Sequence, residues 1–336
     1  MPHRFIQELT MPSTVLILGA AGRIGHAVAH AFADAGWTVR AQSRKPLPVG
    51  LAARPQIQAM RCDALDAKAT AAAAQGADVV VNALNPPYTE WERLAMPLTD
   101  AAIAAASSTG ALLMLPGSVY NFGRELPPLL TPATPERGDV PKARMRIEIE
   151  ARMAAAPGLD SVVVRSGDFF GGTERGSWLD LVLTTRLKAG RFVYPGDPAL
   201  IHPWAYVPDL AHAFVRVAEQ RDRLQGHHRF HFAGHAVTGE QMREAVEAVA
   251  GRPLRTVGMP WGLIRLGSPL VPMWREVVRM RHLWQRPHQL DDATLRSLIG
   301  TLPHTPLKQA VAQARRDLQP AADQSAAASF SANARA

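Results

Sequence analysis

The stretch that most constrains this chain is Val15–Val28, VLILGAAGRIGHAV. A short apolar run ends at Gly19, glycines follow at Gly22 and Gly25, and helix-like spacing begins at once. Such a pattern reads as a buried strand, a tight turn and a crossover helix. Each glycine answers a separate demand. Gly19 lets the chain turn sharply off the strand, Gly22 bares the backbone to a pyrophosphate, and Gly25 lets the helix pack close to the strand. The helix start offers free N–H groups and the positive end of its dipole to the phosphates. The expectation is an α/β chain with a doubly wound parallel sheet, binding a dinucleotide through Gly19, Ala21, Gly22, Arg23, Ile24 and Gly25.

The strand–helix alternation continues downstream. Helix is expected over 25–35, and strands at 37–42, 57–61, 79–84, 111–115 and 159–165. Further helices are expected at 64–75, at 91–109 (kinked or divided by Pro97) and at 142–156. Residues 124–141 are proline-rich and read as an extended loop. The second strand runs into Ser43-Arg44-Lys45. An acid at this point binds a ribose 2′-hydroxyl, whereas a basic residue accommodates a 2′-phosphate. Ser43 and Arg44, with no acid beside them, therefore favour NADP(H) over NAD(H). Asp63, after the third strand, suits either an adenine contact or the cap of the alanine-rich helix behind it. Asn85 and Tyr88 follow the fourth strand, on the carboxyl edge where open parallel sheets bind ligands.

Beyond residue 171 the alternation loosens, and a second lobe is expected. The expected division is an extension at 1–12, a dinucleotide domain at 13–171 and a substrate lobe at 172–200. Residues 201–224 return to the main domain, 225–320 complete the lobe, and 321–336 form a disordered tail. Helices are expected over 178–188 and around 273–284. The second places Met273, Val277, Met280 and Trp284 on a core face, with Arg275 and Arg279 in solvent. Thr238-Gly239-Glu240-Gln241 is a capping box.

The hydrophobic content of 47% supports a sizeable core, and the net charge of +8 suits anionic ligands. No dense basic block interleaved with aromatics points to nucleic acid. No apolar run approaches the ~20 residues that span a bilayer, so no membrane partner is expected. One cysteine, Cys62, leaves no intrachain disulfide and fits the cytoplasm. The cluster His227, His228 and His231 lacks a carboxylate at ligand spacing, and no metal is expected.

In this order the pieces resemble the extended short-chain dehydrogenase/reductases, the group of nucleotide-sugar epimerases and dehydratases, over about residues 13–255. GAAGRIG at 19–25 is similar to the family's GxxGxxG, and Asp63 to its adenine-contacting acid. Ser118-Val119-Tyr120 resembles the tail of SSxxVYG, and Arg165 with Phe170-Gly171-Gly172 resembles the RxxxxYGP that borders the nicotinamide. Residues 204–211, WAYVPDLA, are similar to FVHVDDLA. The resemblance adds Ala83, Asn85, Arg146 and Phe169 to the cofactor contacts. It also implies a small-molecule substrate and a homodimer through the helices at 91–109 and 142–156.

The catalytic pair departs from the family. Aligning its helix on Glu150 puts Lys142 and Arg146 where YxxxK stands, and the family serine falls near Pro116 rather than Ser118. Arginine can bind ribose hydroxyls but does not release its proton. Lysine donates a proton only where burial or nearby cations lower its pKa. The candidates for catalysis are therefore Lys142, Arg146, Tyr120, Ser118 and Asp168, with His202 and Tyr206 nearby. Two functions follow: an NADP(H)-dependent oxidoreductase of epimerase/dehydratase type acting on a carbonyl or carbinol, or a non-catalytic NADP(H)-binding sensor.

Overall fold

The computed structural model describes residues 12–318. The first half runs β1 (Thr14–Leu18), α1 (Arg23–Asp34), β2 (Thr38–Ser43), α2 (Val49–Ala52), β3 (Ile57–Arg61), α3 (Ala67–Ala74), β4 (Val79–Asn82), α4 (Trp91–Ser107) and β5 (Leu112–Ser118). Then come β6 (Leu129–Leu130), α5 (Pro141–Ala155), β7 (Ser161–Ser166), β8 (Asp168–Phe170), β9 (Arg191–Tyr194), β10 (Ile201–Tyr206), α6 (Val207–Ala218) and β11 (His227–Phe232). The chain continues as β12 (His235–Thr238), α7 (Gly239–Ala250), β13 (Arg255–Gly258), α8 (Trp261–Gly267), α9 (Pro272–Arg279), β14 (Gln289–Leu290), α10 (Ala293–Ile299) and α11 (Leu307–Asp317).

Seven strands form one parallel sheet in the order β11-β7-β5-β4-β1-β2-β3. Successive residues of each strand face opposite sides, so each apolar run feeds two cores. Val15, Ile17, Val79 and Val81 pack with α1 and α6 residues such as Phe32 and Phe214. Leu16, Leu18 and Val80 pack with α3, α4 and α5 residues such as Ala73, Ala102 and Ile149. Helices on both faces make this the expected doubly wound architecture. A third core, with Trp91, Tyr120, Phe170, Trp204 and Trp284, joins residues beyond the carboxyl ends of β4 and β5 to residues of the second half of the chain. Among the described residues no helix is long and apolar enough to cross a membrane.

Several local expectations are corrected. His227–Phe232, expected in the second lobe, is the edge strand of the main sheet and pairs with β7 from Ser161 to Ser166. β10, expected with the main domain, pairs instead with β8 and β12, whereas α6 behind it does pack on α1. The helix expected over 178–188 is a turn at Leu179–Leu183 and another at Leu187–Ala189. There the Thr184 N–H reaches five residues back to Leu179 O, and the Thr184 and Thr185 hydroxyls donate to Leu179 O and Val182 O. These short side chains compete with the helical ladder.

Asp66 caps α3 by accepting from the Ala69 N–H at 3.0 Å, while Asp63 turns the chain by accepting from the Leu65 N–H. The helix expected around 273–284 ends at Arg279 and tightens into a turn at Arg281–Trp284. Met280 and Trp284 are buried, but Met273 is exposed, and Arg279 is paired with Glu276 rather than free in solvent. α4 is one helix through Pro97. The expectations for residues 1–11 and 321–336 fall outside the described residues.

Candidate active site

The glycine turn has the conformation its spacing demands. Gly19 sits at φ +79°, and a Cβ there would lie 3.0 Å from Ala83 O. A Cβ on Gly25 would lie 2.3 Å from Gly19 O, so only glycine lets α1 approach this closely. At Gly22 an added Cβ would meet only Gly19 O, at 3.3 Å, and otherwise open space. No side chain caps the start of α1, which leaves the Arg23 and Ile24 N–H groups free of a side-chain partner. An open concavity of backbone donors at a helix N-terminus fits a pyrophosphate. Gln42 braces the turn: its Oε1 accepts from the Gly19 N–H at 2.9 Å and its Nε2 donates to Cys62 O at 2.7 Å. The Arg23 guanidinium is engaged elsewhere, donating to Glu174 O and lying 3.6 Å from Asp180, so only its backbone remains for a phosphate.

At the end of β2, Ser43 is buried and accepts from the Lys45 N–H, while Arg44 and Lys45 are exposed. Arg61 on β3 pairs with Ser43 in register and is exposed too. Three cations thus flank this corner, of which Arg61 is legible only once β3 is placed beside β2. Asp63 lies exposed two residues beyond it. Ala83 is half-buried against the glycine turn, Asn85 is exposed, and Phe169 is half-buried against the main core.

A second cluster gathers where β4 and β5 end. Ser118 is buried, and its Oγ accepts the Tyr120 N–H at 3.4 Å. The Tyr120 and Tyr88 hydroxyls are 2.9 Å apart. The Trp91 indole N–H donates to Pro86 O and fixes the loop that carries Tyr88. Lys142 and Arg146 are one turn apart on α5 and point the same way. The Lys142 ammonium is 2.7 Å from a Glu276 carboxylate oxygen, 4.2 Å from the Tyr88 ring centre and 4.9 Å from that of Trp91. The Arg146 guanidinium lies 4.9 Å over Trp91 and donates to Pro116 O at 3.4 Å, while its buried Nε has no hydrogen-bond partner. On the lobe side the Asp168 carboxylate is 2.8 Å from His202 Nε2, whose ring stacks on Trp284 at 4.1 Å. Tyr206 lies on the far side of Phe170, their ring centres 5.3 Å apart.

Burial sets the protonation states. It pushes the Tyr120 phenol well above its ordinary range, Tyr88 and Asp168 push it further, and Arg146 opposes them. Burial also raises Tyr88, against its hydrogen bond with Tyr120. Both phenols therefore carry their protons at neutral pH. Burial lowers Lys142, with Glu276 pulling it back up, and lowers Arg146. The arrangement can donate a proton from a phenol beside two cations, the combination an oxygen gaining negative charge requires.

The sequence candidates thus divide. Tyr120, Ser118, Lys142, Arg146 and Asp168 meet at one end of the sheet. Tyr88, Trp91 and Glu276 belong to the same cluster, and sequence reasoning gave them no catalytic role. Tyr88 shares its signal with Tyr120, a phenol just beyond a parallel strand, but Glu276 gives none. Arg165 is wholly buried in a structural network with the Glu136 and Glu150 carboxylates, and Asn121 donates to both acids.

A family model described as NAD(P)H-binding matches residues 19–177. No curated protein matches the chain. Among solved structures it is similar to the UDP-glucose 4-epimerase of Bifidobacterium longum in complex with NAD+ and UDP, at 17% identity and TM-score 0.70. The alignment covers 90% of this chain and 97% of that one. The UDP-glucose 4-epimerase of Thermotoga maritima with UDP-glucose matches at 14% identity and TM-score 0.71, over 90% and 97%. The Bordetella bronchiseptica enzyme WbmH with NAD+ matches at 17% identity and TM-score 0.67, again over 90% and 97%.

Proposed function

Starting from a chain with the fold of the extended short-chain dehydrogenase/reductases and an NAD(P)H-binding domain within it, we propose an NADP(H)-dependent oxidoreductase of epimerase/dehydratase type. Its proton donor is Tyr120 rather than a residue of α5. The observation that carries this reading is the Tyr88–Tyr120 hydroxyl pair beside Lys142 and Arg146. The nicotinamide, when bound, supplies or accepts the hydride. The backbone from Gly19 to Gly25 holds the pyrophosphate. Ser43, Arg44, Lys45 and Arg61 take the 2′-phosphate, and Arg146 takes ribose hydroxyls with its fixed donors. Tyr120 gives its proton to the substrate oxygen, and Tyr88 passes a replacement along the 2.9 Å contact. Lys142 and Arg146 stabilise the charge that grows on that oxygen. Asp168 and His202, on the lobe side, orient the substrate's hydroxyl groups. The substrate is a carbonyl or carbinol compound, and the nucleotide sugars bound by the similar structures are the first to try.

The sensor reading has one observation in its favour: the Lys142 ammonium is already engaged by Glu276 and two rings. One experiment separates the two. NADPH binding is titrated by fluorescence. Turnover is followed as NADPH oxidation with aldehydes and ketones and, because epimerases and dehydratases return the hydride to the product, as product formation from nucleotide sugars with NADP+, for wild type, Tyr120→Phe and Tyr88→Phe. Catalysis through Tyr120 predicts a kcat loss of about 10²-fold or more in Tyr120→Phe with NADPH affinity unchanged, and a smaller loss in Tyr88→Phe. Tight binding with no turnover in wild type supports the sensor. Full activity of Tyr120→Phe refutes the assigned proton donor.

A further inference from the structure

We propose that the α8–α9 hairpin attaches this protein to an anionic bilayer surface. Among the described residues, no other segment concentrates exposed apolar side chains as this hairpin does. Leu263, Leu266, Leu270, Val271 and Met273 fall within eleven consecutive residues, with Leu266 79% and Leu270 87% exposed. They are not a frayed end. The Trp261 indole N–H donates to Pro195 O at 2.7 Å and roots α8 in the lobe. Arg281 stacks on Trp261, and Arg275 donates to Pro269 O and braces the turn. Gly267 lets the two helices close, since a Cβ there would lie 2.4 Å from the Trp274 ring. A firmly built hairpin that holds leucines out in water calls for a covering partner.

Charge identifies that partner. From residue 252 to 290 the chain carries seven arginines and one acid, Glu276, which is buried and paired with Lys142 and Arg279. Arg265 and Arg275 stand exposed among the apolar residues. A groove of about 380 Å³ opens beside α8, lined by Leu181, Val257, Leu263 and Trp274, with Arg186 and Arg191 also on its walls. One exposed acid from outside the segment, Glu92, comes within 4.0 Å of Arg279 at the inner end of α9, but Arg265 and Arg275 beside the exposed leucines have no carboxylate partner among the described residues. Apolar side chains flanked by such arginines match an acyl layer beneath anionic headgroups. A second copy of the chain fits poorly, because a two-fold contact would set arginines against arginines. This is surface attachment, distinct from the spanning segment that the sequence lacks.

The test is co-sedimentation of the full chain with vesicles of phosphatidylcholine alone or with about 30% phosphatidylglycerol. Wild type should sediment with the anionic vesicles and weakly with the neutral ones, and high salt should weaken the binding. Leu266→Ser with Leu270→Ser should lower vesicle affinity at least about tenfold, as should Arg265→Glu. These side chains are exposed, so unchanged NADPH binding and melting temperature certify the variants as folded. Failure of wild type to sediment with anionic vesicles overturns the proposal, as does equal sedimentation of the leucine variant. So does a wild-type dimer that the leucine variant abolishes while vesicle binding is absent.

Discussion

Glu276→Gln should expose how strongly α9 is coupled to α5. In the wild type the Lys142 side chain is 3% exposed and that of Glu276 11%, with 2.7 Å between them. The glutamine keeps the shape and an acceptor but leaves a buried ammonium without its counterion. Breaking such a pair typically costs about 3–5 kcal/mol. A ceiling exists, because lysine can give up its proton instead. From an unfolded pKa of ~10.4 that costs about 1.4 kcal/mol per pH unit, or roughly 4.6 kcal/mol at pH 7. The expected loss at pH 7 is therefore about 2–4 kcal/mol.

The sign of its pH dependence follows from linkage. Burial already lowers Lys142 and Glu276 holds it up, so the variant's folded pKa falls further below the unfolded value. Above that folded pKa the unfolded variant binds more protons than the folded one, so its stability rises with pH relative to wild type. Urea unfolding at pH 7 and pH 9 should show the deficit shrinking by about 1 kcal/mol or more. Adding Lys142→Met to Glu276→Gln should restore most of the stability, because the stranded charge is gone. A loss below about 0.5 kcal/mol at pH 7, a deficit unchanged at pH 9, or no rescue in the double variant would each refute the reasoning.

Gly25→Ala should abolish nucleotide binding and cost about 2–3 kcal/mol or more, because the new Cβ meets backbone atoms of Gly19 and Ala20 at 2.3–2.9 Å and no flexible side chain can yield. Calorimetry and NADPH titration read both effects, and a stable variant that binds would disprove the assigned packing. Arg44→Ala should weaken NADPH binding about tenfold and leave NADH within twofold, whereas an equal loss for both nucleotides would reject the 2′-phosphate assignment. Burial, as the largest cause, holds His26, His231 and His235 down to about 4, and His288 to about 3. The unfolded chain protonates these rings near 6.5, so the stability they contribute is intact above 6.5 and is lost as pH falls toward 4. The slope approaches about 1.3 kcal/mol per pH unit for each ring. Thermal melts from pH 7 to pH 4.5 should fall steeply, and a flat profile would contradict the buried neutral state.

The sheet was legible because burial on both faces leaves continuous apolar runs, and a strand's neighbours do not alter that signature. The glycine turn was legible because backbone conformation and close approach act through adjacent residues. The second lobe was not. Leu179–Leu183 has helical composition, yet two threonine hydroxyls and a five-residue backbone bond draw it into another turn. His227–Phe232 has a strand's pattern, but its partner is set by a hydrogen-bonded register with β7 that no local residue encodes. The site divides in the same way. Tyr120, Lys142 and Arg146 were found through motifs, whereas Glu276 emerged only when α9 was laid against α5, 134 residues away in sequence.

Glu276 explains how the cations of α5 are tolerated. Lysine and arginine one turn apart put two positive charges on a buried surface, and burial disfavours charge. The fold answers from outside the helix. Glu276 neutralises Lys142, while the Tyr88, Trp91 and Tyr120 rings line the space between and carry no charge of their own at neutral pH. At the other end of α5, Glu150 binds Arg165 from β7, so the helix is fixed at one end to the sheet and at the other to the lobe. The Tyr120 phenol stands in the turn just beyond β5, where burial, Tyr88 and Asp168 keep its proton on. On the proposed function, Lys142 and Tyr120 can act together only while Glu276 stays docked, so loosening α9 should disturb Lys142 and Tyr88 before it disturbs the glycine turn.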